Sequence, residues 1–225
     1  MYDNLVILGA DGGARELFWF VHDVARDVEV VFVDDLTDIT EVEVAGTVWP
    51  VVKDWDFTRV RHRSPRGRQW PFDQFIIGLG NPPDKKVMVE KALARGLHPA
   101  PTLIGPDVVV RPDCTIGRGG VMVGHSVINA AVTIGDYLFL AETTVGHYAR
   151  LGDYATCYHG CRVSGDDDIG EGVLLGANSV VREEVSIAPW VTVGALGCVV
   201  KDITEPHAVV GGVPARPLGA DPGRG

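Results

Sequence analysis

The 225-residue sequence predicts two domains of different class: a small α/β domain over residues 1–100 and an all-β domain over residues 101–225. Three observations support this division. Short apolar runs alternate with helical patterns in the first part, an apolar residue recurs at every sixth position in the second, and glycine is abundant at 28 residues. The formal net charge of −10 also disfavours non-specific nucleic-acid binding, which depends on neutralising phosphates.

The first domain has the pattern of parallel strands joined by helices. The apolar runs at residues 5–8, 28–33 and 75–79 are typical of buried parallel strands. Apolar residues at helical spacing predict one helix over residues 14–25 and a second over residues 87–94. Strands that alternate with helices in this way predict a parallel α/β sheet.

Two segments of this domain have two interpretations each. The glycine-rich turn from Gly9 to Gly13 places backbone N–H groups at the start of a helix, which suits a phosphate. The same glycines could instead serve only to let the helix pack closely on the strand. The basic segment at residues 59–68 is interpreted as a solvated loop, with contact to a phosphate of a nucleotide or of CoA as the alternative.

A period of six residues organises the second domain. Every sixth residue from Ile104 to Leu140 is apolar, and after a slip of one residue the series resumes from Val145 to Val199. Glycine often follows these positions directly. One short strand and one turn per hexad predict a triangular coil of about 18 residues, and stacking would give a solenoid of about five coils between residues 100 and 200.

The remaining features argue for an ordinary intracellular protein. The four cysteines are too few and too scattered for a disulfide scaffold, and Cys157 and Cys161 are interpreted as small core residues, not zinc ligands. No apolar run approaches the ~20 residues that span a bilayer, and the N-terminus lacks a signal-peptide pattern. We therefore expect a cytoplasmic protein whose tail, residues 206–225, leaves the repeat.

The register slip draws attention to one histidine. It shortens the coil from Ile134 to Leu151 by one residue, and we place the shortened corner at residues 145–148. Departures from a regular pattern tend to mark functional sites. His147 stands two residues after an inward position, so its side chain is expected to point outward, where an imidazole can act as a general base. A plain surface histidine is the alternative.

A short α/β domain followed by hexapeptide repeats, with a histidine in the middle coils, resembles a known family of acyltransferases. This is the left-handed β-helix family that includes sialic acid O-acetyltransferases and nucleotide-amino-sugar N-acetyltransferases. The matching segments are residues 7–16, 32–35, 77–81, 144–148, 151–154 and 212–216. The resemblance implies a Rossmann-like N-terminal domain, a left-handed parallel β-helix, and a homotrimer that binds acetyl-CoA between subunits without any metal.

The resemblance also implies roles for individual residues. His147 matches the catalytic base, and Tyr148 stands where relatives carry an acidic residue that orients the imidazole. CoA binding falls to Thr156, where close relatives have a second histidine, and to the backbone at Gly165, Ala177 and Ala195. The nucleotide part of the acceptor falls to Asp11, Gly12, Gly13, Asp34, Asp35 and Gly80. Glu142 and Asp153 are candidates for the missing carboxylate. Residues 166–168 are interpreted as a solvated turn, with a cation site as the alternative.

The implied reaction moves an acetyl group from acetyl-CoA to an amino group of a nucleotide-linked sugar. The amine attacks the thioester directly, without a covalent acyl-enzyme, and backbone N–H groups near the His147 corner stabilise the oxyanion. Two alternatives remain open. One is O-acetylation of a sialic acid or another sugar, and the other is a non-catalytic trimer that binds a nucleotide sugar, which Tyr148 and Thr156 keep in consideration.

Overall fold

The computed structural model describes residues 4–26, 28–44, 46–55 and 72–218. Its contacts divide the chain into two compact units. The first runs to Leu103 and includes Arg118–Gly120, and the second comprises Ile104–Gly117 and the chain from Val121 onward. The basic segment at residues 59–68 and the last residues of the tail, 219–225, lie outside the described residues.

A six-stranded sheet with two helices forms the first unit. Its elements are β1 (Asn4–Leu8), α1 (Gly12–Val24), β2 (Glu29–Val33), β3 (Glu41–Val44), β4 (Thr47–Val52), β5 (Gln74–Ile77), α2 (Pro82–Ala94) and β6 (His98–Pro99). The strand order is β3-β4-β2-β1-β5-β6, and all neighbours are parallel except the antiparallel pair β3 and β4. All five residues of β1 are buried, as expected for a central strand.

The sequence-based prediction misses one hairpin and misplaces one helix start. In β3, Val42 and Val44 are buried while Glu41 and Glu43 are exposed, which is the alternation of a half-buried strand. Helix α2 begins earlier than predicted because Asn81 caps it, accepting a hydrogen bond from Asp84 N at 3.2 Å. Two prolines fit this first turn, where their missing N–H groups would have no partner in any case.

The second unit is a β-solenoid that resembles a left-handed β-helix, and its strands form three parallel-stranded faces. The first face contains β7 (Leu103–Ile104), β10 (Val121–Val123), β13 (Phe139–Ala141), β16 (Thr156–Cys157), β19 (Leu174–Leu175), β22 (Thr192–Val193), β24 (Val209–Gly211) and the antiparallel β25 (Arg216–Pro217). The second contains β8 (Val109–Val110), β11 (Val127–Ile128), β14 (Thr144–Val145), β17 (Arg162–Val163), β20 (Val180–Val181) and β23 (Cys198–Val199). The third contains β9 (Thr115–Ile116), β12 (Thr133–Ile134), β15 (Arg150–Leu151), β18 (Asp168–Ile169) and β21 (Ser186–Ile187).

Strand register confirms the coil length and the slip but corrects the position of the slip. Val109 pairs with Val127 across one regular coil, whereas Ile128 pairs with Val145 across a coil that is shorter by one residue. The residue is lost between β13 and β14, at Glu142 and Thr143. The prediction that the shortened corner is residues 145–148 is therefore wrong by one corner. The tighter turn is closed by Thr143, which is fully buried and donates its N–H to Ser126 Oγ at 3.1 Å.

The inward positions form the core of the solenoid, as predicted from the hexad pattern. Every one of them from Met122 to Val199 is buried. Ile104 is an exception, with 39% of its surface exposed, because the adjacent Leu103 is fully buried and neighbouring residues of a strand point to opposite sides. Cys157 and Cys161 are both fully buried, which confirms their interpretation as small core residues.

The solenoid extends further into the tail than predicted. Val210 in β24 is buried and pairs with Val193, so the chain still follows the first face after residue 206. The expectation that residues from Pro206 leave the repeat is therefore wrong at this strand. The sequence obscures it because Pro206 and the two glycines at positions 211 and 212 interrupt the hexad pattern.

Candidate active site

His147 lies on the corner between β14 and β15, on the outside of the solenoid, with 61% of its side chain exposed. Tyr148 adopts a left-handed φ of 58° and donates its N–H to Ala130 O of the preceding coil at 3.0 Å. The two aromatic rings meet edge to face, with centroids 5.4 Å apart. The outward position of His147 agrees with the sequence-based prediction, while its catalytic role stays a prediction.

Gly165 lies on the corresponding corner of the next coil, directly against the imidazole. A Cβ atom built on Gly165 would stand 2.9 Å from both Nδ1 and Nε2 of His147 and closer still to Cε1. Such distances are too short for real contacts, so a side chain at residue 165 and the imidazole cannot occupy this space together. The absence of a side chain at Gly165 therefore seats the histidine ring, a role that the sequence did not predict.

Asp166, the next residue, supplies a carboxylate beside the same ring. Its Oδ2 is 3.5 Å from His147 Nδ1, and its side chain is 52% exposed. Its N–H donates to His147 O at 2.9 Å, so main chain and side chain of Asp166 both approach His147. The two carboxylates considered from the sequence lie on other corners, because Glu142 follows β13 and Asp153 follows β15. Asp166 is exposed, as the interpretation of residues 166–168 as a solvated turn expects, whereas the same interpretation is wrong for Asp167, which is buried.

The buried carboxyl group of Asp167 holds the backbone of this corner through hydrogen bonds. Asp167 is 1% exposed and accepts hydrogen bonds from Ser164 N and Val185 N, both at 2.9 Å. Burial raises the pKa of Asp167 to about 6, the two backbone hydrogen bonds oppose that change, and the charges of Glu183 and Asp166 add to it. Asp167 therefore ties the corner below His147 to the next coil of the solenoid.

An open cavity of about 690 Å³ adjoins His147 on the side of the preceding coils. Its polar lining consists of Arg111, Asp113, Asn129 and the imidazole of His147. Asn129 is held in place because its side-chain N–H donates to Val145 O at 2.9 Å. The volume falls within the range of about 300–1,000 Å³ that is usual for small-molecule sites.

The positions expected to bind CoA fall into three environments. Ala177 and Ala195 follow β19 and β22, so they lie on successive coils at the corner between the first and second faces; Ala177 is half-buried and Ala195 is exposed. Gly165 lies at the other end of the second face. Thr156 is fully buried in β16, so its side chain offers no surface to a ligand within this chain.

In the first unit, backbone N–H groups at the glycine-rich turn already donate hydrogen bonds to the side chain of Asp11. Asp11 caps α1, and its Oδ1 accepts hydrogen bonds from Gly13 N at 3.0 Å and Ala14 N at 3.2 Å. A Cβ on Gly13 would stand 2.8 Å from Gly78 O, whereas a Cβ on Gly12 would meet nothing within 4 Å. These contacts favour the interpretation that Gly13 permits close packing of helix on strand.

The two aspartates after β2 differ in their surroundings. Asp34 is buried and accepts hydrogen bonds from Ala10 N, Leu36 N and both the N–H and the hydroxyl of Thr37, at 2.8–3.0 Å. Asp35 is more accessible and pairs with Lys91 Nζ at 2.7 Å.

Burial acts to raise the pKa of Asp35, but hydrogen bonds from Lys91 and Trp55 outweigh it, so the pKa is lowered. Gly80 is half-buried and precedes the cap of α2. Asp11, Asp35 and Gly80 all follow the carboxyl ends of the adjacent parallel strands β1, β2 and β5, so they share one edge of the sheet.

In residues 4–26, 28–44, 46–55 and 72–218, no group of three or more His, Cys, Asp and Glu side chains is placed to hold a metal ion. Neither helix in the described part of the chain is long and apolar enough to cross a membrane.

Comparisons with known proteins show that the chain is similar to acetyltransferases. No family model matches it. Over 103 residues it is 32% identical to serine acetyltransferase from Mycobacterium tuberculosis, which covers 41% of this chain and 44% of that protein. The matched regions span between 24% and 50% of the length of such curated relatives.

Two solved structures are similar over nearly the whole chain. The acetyltransferase domain of PglB from Neisseria gonorrhoeae, in complex with acetyl coenzyme A, is 29% identical with a TM-score of 0.81, over 97% of this chain and all of that one. A variant of perosamine N-acetyltransferase from Caulobacter crescentus, in complex with CoA and GDP-perosamine, is 25% identical with a TM-score of 0.82, over 97% and 98%. The resemblance of this chain to the hexapeptide-repeat acyltransferases, and among them to sugar N-acetyltransferases, is thereby confirmed.

Proposed function

We propose that this protein transfers an acetyl group from acetyl-CoA to the amino group of a nucleotide-linked sugar, with His147 as the general base. The observation that carries the proposal is an exposed imidazole, seated on Gly165, that faces a cavity of about 690 Å³. Similarity to structures with acetyl-CoA and with CoA plus GDP-perosamine supports the choice of donor and of acceptor class.

In the proposed reaction, the acceptor nitrogen attacks the thioester carbonyl while the base takes its proton. A bond forms between nitrogen and the carbonyl carbon, and the carbon–sulfur bond breaks when the tetrahedral intermediate collapses. The proton moves to Nε2 of His147, and the CoA thiolate leaves and is reprotonated. An imidazole suits this step because its unprotonated nitrogen can accept the proton as the new bond forms.

The intermediate carries a negative oxygen that needs a hydrogen-bond donor. Three N–H groups of this region are engaged between coils: those of Gly146, Tyr148 and Asp166 donate at 2.8, 3.0 and 2.9 Å. We assign the oxyanion to the N–H of Gly165, which lies beside the imidazole and is preorganised by the coil. Ala177 and Ala195 lie at the opposite edge of the second face from Gly165, and we assign them backbone contacts to CoA.

For the acceptor, we assign the sugar to the cavity beside His147, where Arg111, Asp113 and Asn129 supply polar contacts. We assign the nucleotide to the first unit, as a Rossmann-like domain, at the strand edge that carries Asp35 and Gly80. The Asp11 carboxylate at the start of α1 would repel a phosphate, so we do not assign the phosphate to the Gly13 N–H.

The assembly and the compartment are further parts of the proposal. Following the resemblance stated above, we propose a homotrimer with CoA in the groove between neighbouring solenoids. Light scattering coupled to size-exclusion chromatography would test the trimer directly. We propose the cytoplasm as the compartment, since all four cysteines are free thiols and such thiols persist under reducing conditions.

The test is release of the CoA thiol from acetyl-CoA, measured with a panel of GDP-, UDP- and dTDP-linked amino sugars. The matching hydroxyl sugars, the free amino sugars and a reaction without acceptor are the controls. The proposal predicts turnover with at least one nucleotide-linked amino sugar and an N-acetylated product by mass spectrometry. Turnover only with hydroxyl sugars, or only with free sugars, would overturn the proposed acceptor class.

A further inference from the structure

We propose that Asp166 is the residue that positions His147, replacing from the next coil the adjacent carboxylate that Tyr148 cannot supply. This inference rests on the proposed role of His147 as general base. Asp166 does not touch the acceptor in this account, and it acts only through the imidazole. The two residues are distant in sequence, and the stacking of one coil on the next brings them together.

The geometry supports a directed contact between the two side chains. Oδ2 of Asp166 is 3.5 Å from Nδ1 of His147, and the main chains are tied by the bond from Asp166 N to His147 O at 2.9 Å. The side-chain distance exceeds a normal hydrogen bond by a few tenths of an ångström. Catalytic hydrogen bonds are often long before substrate binds and shorten in the complex.

Two neighbours contact the ring beside Asp166. One side of the imidazole rests on Gly165, where a Cβ atom would come within 2.9 Å of both nitrogens. Tyr148 meets the ring edge to face at 5.4 Å. Of the charged side chains nearby, Arg111 and Asp113 line the cavity beside His147, and the buried Asp167 is engaged by two backbone N–H groups.

This contact decides which nitrogen carries the proton. A carboxylate accepts a hydrogen bond from Nδ1–H, so neutral His147 is held in the tautomer whose Nε2 has a free lone pair. Nε2 can then take the proton of the acceptor amine, and the resulting imidazolium is stabilised by the negative charge of Asp166. When substrates cover the imidazole and exclude water from it, the interaction becomes stronger.

The backbone conformation of Asp166 allows a substitution that removes only its charge. Its φ of 60° lies in the left-handed region, which asparagine tolerates better than most residues. Asp166→Asn therefore removes the charge while keeping size and backbone. The matched control is Asp168→Asn, which removes the same charge from an exposed residue two positions away on β18. Thermal unfolding of both variants verifies that each is folded.

The kinetic experiment compares kcat and KM of the wild-type protein, the two variants and His147→Asn. Asp166→Asn should lower kcat about tenfold or more, because a misoriented base loses much of its advantage, with KM for acetyl-CoA changed less than about twofold. Asp168→Asn should leave both constants within about twofold. In the His147→Asn background, Asp166→Asn should cause no further loss, since its effect passes through the imidazole.

A second measurement does not depend on turnover. In protein labelled with ¹⁵N-histidine, the neutral His147 imidazole should be the Nδ1–H tautomer in wild type and in Asp168→Asn, and should lose that preference in Asp166→Asn. An unchanged tautomer in Asp166→Asn, kcat within about twofold of wild type, or an equal loss in Asp168→Asn would each overturn the inference. If wild type turns over no acceptor, the proposed function fails, and the tautomer alone decides the role of Asp166.

Discussion

The imidazole of His147 lies directly against Gly165, which is one coil further along the chain. The ring fills the space that a Cβ atom at residue 165 would occupy. Gly165 is thus a structural requirement of the histidine's orientation as well as a candidate donor to the oxyanion. The stacking of coils explains the relationship, because residues one full coil apart lie above each other at the same corner.

Replacing Gly165 by alanine should displace the imidazole without disturbing the coil. Its backbone is not in the left-handed region, so alanine is conformationally allowed there. A shift of the base by about 1 Å costs roughly a hundredfold in rate, and we expect kcat to fall by about that factor. Thiol-release kinetics with the preferred acceptor measure it.

Gly105→Ala is the control for Gly165→Ala, since a Cβ at Gly105 meets its nearest neighbour, Met122 O, at 3.4 Å. We expect that variant to keep the wild-type rate. Equal activity of Gly165→Ala and wild type would show that the ring does not depend on the empty space at residue 165.

The buried carboxyl of Asp167 should give the protein a specific pH dependence of stability. Its folded-state pKa of about 6 exceeds the ordinary value of 3.8, so the folded state binds this proton more tightly than the unfolded state. The contribution is complete below pH 3.8 and is lost as the pH rises through 6. A difference of this size corresponds to about 3 kcal/mol in the free energy of unfolding.

Urea unfolding of wild type and Asp167→Asn between pH 4 and pH 8 would measure this contribution. The difference between the two free energies of unfolding should change by a few kcal/mol between about pH 4 and pH 6 and then level off, with wild type losing stability as the pH rises. A difference that stays constant across this range would contradict the raised pKa.

Four aromatic residues stack along the corner between the third and first faces. Tyr137 and Tyr154 lie 5.0 Å apart, Tyr154 and Trp190 6.3 Å, and Trp190 and His207 6.4 Å between ring centroids. The coil between Tyr154 and Trp190 has Gly172 at this position, with a left-handed φ of 65° and the indole over its Cα. Gly172 therefore makes room for the indole.

Gly172→Ala should lower the free energy of unfolding by about 2–4 kcal/mol, from the left-handed backbone and from collision with the indole together. In a Trp190→Ala background the same change should cost only about 1 kcal/mol, since the backbone term alone remains. Urea unfolding of the four proteins measures the coupling. Equal costs in both backgrounds would contradict the close contact.

The two aspartates after β2 should affect different properties when replaced: Asp34 the stability of the fold, and Asp35 the binding of the nucleotide sugar. Asp34→Ala leaves three backbone N–H groups without their acceptor, and we expect it to cost about 2–3 kcal/mol of stability. Asp35→Ala should change stability by less than about 1 kcal/mol and raise KM for the nucleotide sugar about tenfold. An unchanged KM in Asp35→Ala would remove Asp35 from the acceptor site.

The hexad pattern made the solenoid predictable because a single inward side chain per strand decides the position of each coil. The corner that carries the slip was misplaced, since Glu142 and Thr143 resemble an ordinary turn and only strand pairing shows the missing residue. The strand at Val42 and Val44 was missed because four residues in which glutamate alternates with valine give a weak apolar signal.

Asp166 was missed because its partner is distant in sequence. A signal was present, since stepping one regular coil forward from His147 leads to Gly165, and the next residue is the aspartate. The burial of Thr156 and Asp34 could not be predicted from the family resemblance, because the resemblance matches positions in sequence and says nothing about which side chains the packing of this chain encloses.

Activity of His147→Asn is the most direct test of the account, measured as CoA release with the preferred nucleotide-linked amino sugar, alongside calorimetric binding of acetyl-CoA. His125→Ala, which alters an exposed histidine on a different corner, is the control. We expect His147→Asn to bind acetyl-CoA as wild type does but to lose at least about a hundredfold in kcat, as when a general base is removed. Wild-type turnover in His147→Asn would contradict it.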